Sequence, residues 1–157
     1  MDSGELLLNC MKQKFILLTK VSNLTKQMDV CSRQTEIEMG DLAKQRQVFL
    51  DRLKKCESVI ASCNTTLPEE QQKRQKKILS GDFPKEECSA SEAELLEYAA
   101  KCRELLRYIL SMDKEVRERL QNECNRLQGL LHNARKASSL ARKKAAALLQ
   151  SQNPQQH

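Results

Sequence analysis

Thiols, imidazoles and charged pairs are the groups in this chain that could do chemistry, and their spacing decides whether they do. Seven cysteines and two histidines are present. Cys10, Cys31, Cys56, Cys63, Cys88, Cys102 and Cys124 form no CxxC pair, and neither His132 nor His157 stands at ligand spacing from any of them. A structural zinc site needs such short spacings, and a nucleophilic thiol needs an imidazole to activate it. There is no glycine-rich phosphate loop, and the carboxylates are spaced as on solvated helix faces. No metal, cofactor or catalytic residue is expected, and the chain does not read as an enzyme. All the cysteines but Cys88 fall on helical apolar stripes, so they are expected as small buried hydrophobes in a reducing cytosol.

The elements that carry these residues are helical. From Ser91 to Gln150 the chain has no proline and a single glycine, Gly129. Apolar or small residues recur there at steps of three and four, from Leu95, Ala99, Cys102, Leu106 and Ile109 through Val116, Leu120, Leu127 and Leu131 to Leu148. That spacing puts them on one helix face. One unbroken helix would be about 90 Å long at 1.5 Å per residue, and Ser91 with Glu94 is placed to cap its start. A second stripe runs from Leu7 to Cys31 and resumes from Leu42 to Cys63, which predicts a helix over 5–64 with a stutter, and a bend near Gly40, where a full break is the alternative. Pro68 and the Ser80–Pro84 turn cluster bound a short helix over 68–79.

Two long helices joined by a short one can fold back on each other. Setting Asn64 beside Ser91 places Leu53 opposite Leu106, Cys56 opposite Cys102, Phe49 opposite Ile109 and Leu42 opposite Val116. Further along, Met28 falls opposite Leu131 and Leu24 opposite Ala134. Each stripe has one charged intruder, Arg46 and Asp113, and the same register sets them opposite each other as a structural pair. The expected fold is therefore all-α: a long antiparallel, coiled-coil-like helical hairpin with a short middle helix, forming a three-helix bundle at one end where the apolar face widens between Leu95 and Met112. Residues 1–150 read as a single helical domain with helices about 5–64, 68–79 and 91–150, and 151–157 as a disordered tail.

Apolar residues make up 39% of the chain and aromatics 3%, giving a thin aliphatic core. The first residues do not read as a signal peptide, and no apolar run approaches the roughly 20 residues that span a bilayer. A soluble, cytoplasmic protein is expected. The net charge of +6 sits entirely in 124–157, because every acidic residue lies at or before Glu123. Arg126, Arg135, Lys136, Arg142, Lys143 and Lys144 carry it, and they could meet an acidic partner, a membrane surface or nucleic acid, or simply complement a helix C-terminus. Nucleic acid is not the expected partner, since no aromatic lies beyond Tyr108 to stack on bases.

Gly40-Asp41-Leu42-Ala43-Lys44-Gln45-Arg46-Gln47-Val48-Phe49-Leu50-Asp51-Arg52-Leu53, followed by Leu110-Ser111-Met112-Asp113-Lys114-Glu115-Val116 and a basic, alanine-rich end, resembles the flagellar export chaperones of the FlgN type, with the FliT type a close second. The resemblance runs from Leu6 to about Ala147. It implies a cytosolic chaperone that binds late flagellar substrates, the hook–filament junction proteins, keeps them from assembling early and delivers them to the type III export apparatus. By the same analogy the last helix holds the partner, and Leu127, Leu130, Leu131, Ala134, Ala141 and Leu148 are the candidate binding residues. A structural coiled-coil or scaffold protein, homodimeric or not, is the alternative that the heptads alone would equally allow.

Overall fold

Strong helix formers at three-four spacing produce helices wherever the stripe is continuous, and the structure breaks where it is not. In the computed structural model, which describes residues 2–151, the elements are α1 (Ser3–Cys31), α2 (Gly40–Thr65), α3 (Glu69–Leu79), a single 3₁₀ turn (Lys85–Glu87) and α4 (Ala90–Ser151). The fold is all-α, with no strand among the described residues. The expected tail beyond residue 151 lies outside them.

The expected helix over 5–64 is two helices. Ser32–Glu36 is a run of five polar residues, so the stripe offers nothing to bury there. The chain leaves α1 through tight turns, Arg33 N–H to Val30 C=O at 3.2 Å and Gln34 N–H to Cys31 C=O at 3.1 Å, while the Ser32 hydroxyl donates to Asp29 C=O at 2.7 Å. With the i→i−4 ladder lost, α1 folds back along α2. The Cys56 thiol donates to Cys10 C=O at 3.2 Å, Lys14 pairs with Glu57 at 3.5 Å, and the Lys20 ammonium lies 5.1 Å from the Phe49 ring centre. These pairs lie at similar distances on either side of the turn, as an antiparallel hairpin requires.

The break reverses the direction in which α1 meets α4. Lys12 pairs with Glu94 at 3.6 Å, Phe15 meets Tyr98 edge to face at 6.1 Å, and Lys26 lies over Tyr108. The numbers rise together, so α1 runs parallel to α4, and it lies along 94–108. Leu24, expected opposite Ala134, is buried within the unit Met1–Val116. The α2–α4 register is the antiparallel one read from the stripes, for Arg46 Nη2 donates to Asp113 Oδ2 at 2.6 Å. Three helices thus share one core of Leu7, Met11, Leu17, Leu18 and Val21 from α1, Leu53 from α2, and Leu95, Leu96, Ala99, Cys102 and Ile109 from α4. Each fully buried aliphatic side chain contributes about 1.5–3 kcal/mol.

Between α2 and α4, α3 closes the end of the bundle by burying Ile78. Pro68 stands just before its first residue, and Thr66 makes no capping box with Glu69; its hydroxyl turns back to Cys63 C=O. The cap of α4 lies two residues earlier than expected. Ser89 Oγ accepts from Glu92 N–H at 3.3 Å while Glu92 accepts from Ser89 N–H at 3.0 Å, a reciprocal capping box. Arg74 of α3 fixes it from outside, donating to both Glu92 oxygens and to Glu87 C=O. These bonds hold the Glu92 carboxyl down at about 2, the Arg74 guanidinium first and the Ser89 N–H second.

The chain divides into two compact units, Met1–Val116 and Arg117–His157. The boundary falls inside α4, at the last buried residue of its stripe, Val116.

Candidate partner-binding surface

Leucine, alanine, glutamine, lysine and arginine dominate 117–151, all strong helix formers, and α4 reaches Ser151. Within this unit Glu123 accepts two bonds from Arg126, at 2.6 and 3.0 Å, and Gln121 donates to Asn125 at 3.1 Å. Such i,i+3 and i,i+4 pairs support a helix by a few tenths of a kcal/mol each. The same bonds from Arg126 lower the Glu123 carboxyl.

The stripe itself is uncovered. Leu127, Leu130 and Leu131 are each about half exposed, Leu148 is 62% exposed, and Ala134 and Ala141 are exposed as well. At about 100° per residue these six positions, with Ser138, Ala145 and Leu149, occupy a third of the helix circumference. Leucines stand at both ends of the strip, and small residues fill its middle. On the same wheel Arg135 and Arg142 border one edge and Arg126 and Lys144 the other, while Lys136 and Lys143 lie behind. The surface can therefore take an apolar ridge about six helical turns long, and its rims hold positive charge for carboxylates that flank such a ridge.

Leu149, 68% exposed, belongs to this strip but was not among the expected anchors; its i+4 relation to Ala145 was the available signal. Leu140, 57% exposed, lies on the far side of the helix, and periodicity leaves it out of the strip. Arg46 and Asp113 are part of the bundle and play no part in this strip; both are about one-fifth exposed, and the Arg46 Nε is buried without an acceptor.

The cysteines divide. Cys102 is buried, Cys10, Cys31, Cys56, Cys63 and Cys88 are half-buried, and Cys124, expected inside a seam, is exposed. Burial raises the thiols of Cys10, Cys56 and Cys102. All seven are free thiols, and among the described residues no group of three or more Cys, His, Asp or Glu could hold a metal ion. No helix in the described residues is long and apolar enough to cross a membrane. Compared with protein-family models, curated proteins and solved structures, the chain matches none.

Proposed function

We propose that this is a non-catalytic, cytoplasmic binding protein in which α4 beyond Val116 takes up an amphipathic helix of a partner. The observation that carries the reading is the apolar strip from Leu127 to Leu149, exposed along its whole length and edged by cations with no acidic residue after Glu123. Contiguous exposed apolar surface rimmed by polar groups marks an interaction site, and an amphipathic helix presents anchors at the same three-four spacing. With the FlgN-type resemblance, the fuller reading is an export chaperone that holds hook–filament junction proteins and passes them to the type III export apparatus. Self-pairing as a scaffold is the weaker reading, because two copies joined along 124–151 would set arginines and lysines against their like.

Calorimetry with purified hook–filament junction proteins tests this. Leu131→Asp and Leu148→Asp are expected to abolish binding while helicity by circular dichroism stays as in the parent. Parental affinity in a folded chain truncated after Glu123 would overturn the assignment. Parental affinity for an unrelated acidic amphipathic helix would keep the surface but remove the flagellar substrate.

A further inference from the structure

The thiols take no part in the function proposed above, and two of them meet where α1 folds back on α2. Cys56 Sγ donates to Cys10 C=O at 3.2 Å, between residues 46 positions apart in the chain. Two bonds separate that oxygen from the Cys10 Cα, so the Cys56 sulfur lies within about 6 Å of it. The two thiols are also side-chain hydrogen-bond partners of each other. Sulfurs in that relation are joined by side-chain rotation with little movement of the backbone. Both residues are free thiols, and both are only half-buried, so a small reagent can reach the pair. Lys14, one turn beyond Cys10, brings an ammonium to the same place. It pairs with Glu57, the residue after Cys56, at 3.5 Å, and its charge favours the Cys56 thiolate against the burial that raises this thiol.

We propose that Cys10 and Cys56 form a modification site, a dithiol that a low-molecular-weight disulfide oxidises to a disulfide stapling α1 to α2. Cys10 Sγ, as thiolate, attacks one sulfur of the small disulfide, whose S–S bond breaks to release a thiolate. Cys56 Sγ gives up its proton, attacks the Cys10 sulfur of the mixed disulfide and expels the second thiolate. Two S–H bonds are lost and one S–S bond is formed, two electrons pass to the reagent, and both protons end on the two small thiols released. Cys10 goes first because the hydrogen bond from Cys56 favours its thiolate. Burial raises both thiols above all, so the exchange is slow, and neither sulfur is a good leaving group once the bond is made. The staple closes the α1–α2 loop and opposes local opening of the hairpin.

The test incubates the reduced full chain with oxidised glutathione, then alkylates it and maps a non-reducing digest by mass spectrometry. An internal link from Cys10 to Cys56 is expected, with a raised urea midpoint that dithiothreitol restores. Cys56→Ala should stop at the mixed disulfide with glutathione on Cys10. Cys63→Ala removes the rival thiol, about 10 Å farther along the same face of α2, and should leave the link in place. If Cys56→Ala does not fold, the parental map and Cys63→Ala still decide. The proposal fails if Cys10 pairs with Cys63 or Cys102, if the link joins two molecules, if it forms only in urea, or if Cys10 and Cys56 both remain free.

Discussion

Residues 90–116 and 117–151 belong to one helix and carry the same three-four stripe, yet Leu95, Ala99, Cys102, Ile109 and Val116 are buried while Leu127, Leu131 and Leu148 are not. Periodicity therefore reports that a face is apolar and says nothing about what covers it. Charge makes the distinction. In the first unit both signs are interspersed, and they pair between helices as Lys12–Glu94, Arg46–Asp113 and Arg74–Glu92. After Glu123 only cations remain, and the complement must come from outside that stretch.

The sharpest way to break this comparison is to remove equivalent bulk from each unit. Met11, 1% exposed in the core, should cost about 2–5 kcal/mol when truncated to alanine, whereas Leu131→Ala should stay within about 0.5 kcal/mol in urea unfolding. A comparable loss at both sites would show that the strip is covered in solution.

The Arg46–Asp113 pair gives a smaller effect in the first unit alone. Each side chain keeps about a fifth of its exposure, so Asp113→Ala should cost about 1–3 kcal/mol, the range of a charge-assisted hydrogen bond with a partner left behind. The double change to leucine should recover most of it, and additive losses in the double-mutant cycle would show that the two do not interact.

The Glu92 cap sharpens the comparison through pH. Its folded carboxyl lies at about 2 against an ordinary 4.5, so the folded state binds its proton less readily than the unfolded chain. Its contribution is complete above 4.5 and is lost as pH falls toward 2. Glu92→Gln should lower the urea midpoint at neutral pH and flatten its fall over that acid range. An unchanged acid profile in the variant would remove Glu92 as the cause.

The smallest effect belongs to the rim of the second unit. Lys143→Ala with Lys144→Ala should slow association with an acidic partner helix a few-fold and reduce its salt dependence, leaving the dissociation rate nearly unchanged in surface plasmon resonance. A change confined to dissociation would make these lysines anchors.

Helix type, the α2–α4 register and the α3 boundaries were legible in the sequence because each rests on local spacing that tertiary structure only confirmed. The fold-back of α1 was not. Leu7 to Cys31 is equally suited to an antiparallel or a parallel neighbour, and the deciding feature, five polar residues from Ser32 to Glu36, reads on its own as a stutter. Ser89 was overlooked as the cap because Ser91 and Glu94 have the same spacing as Ser89 and Glu92; Arg74, contributed by α3, selects between them. At the candidate surface the apolar residues were visible, but their exposure was not, because a stripe reads the same whether or not another helix covers it.

The turn at Ser32–Met39 also sets an order of events in time. Had the first sixty residues formed one helix, their partners would have lain up to the far end of the chain, and no pairing could close before synthesis was nearly complete. Folding α1 onto α2 brings residues such as Lys14 and Glu57 together across a short loop, and closing short loops is fast. The whole bundle can then assemble once Val116 has left the ribosome, with the basic end of α4 still to come. Pulse proteolysis of stalled nascent chains should show protection appearing near that length; protection only at full length would contradict it. A chain built this way finishes its helical bundle before its last, basic helical stretch exists.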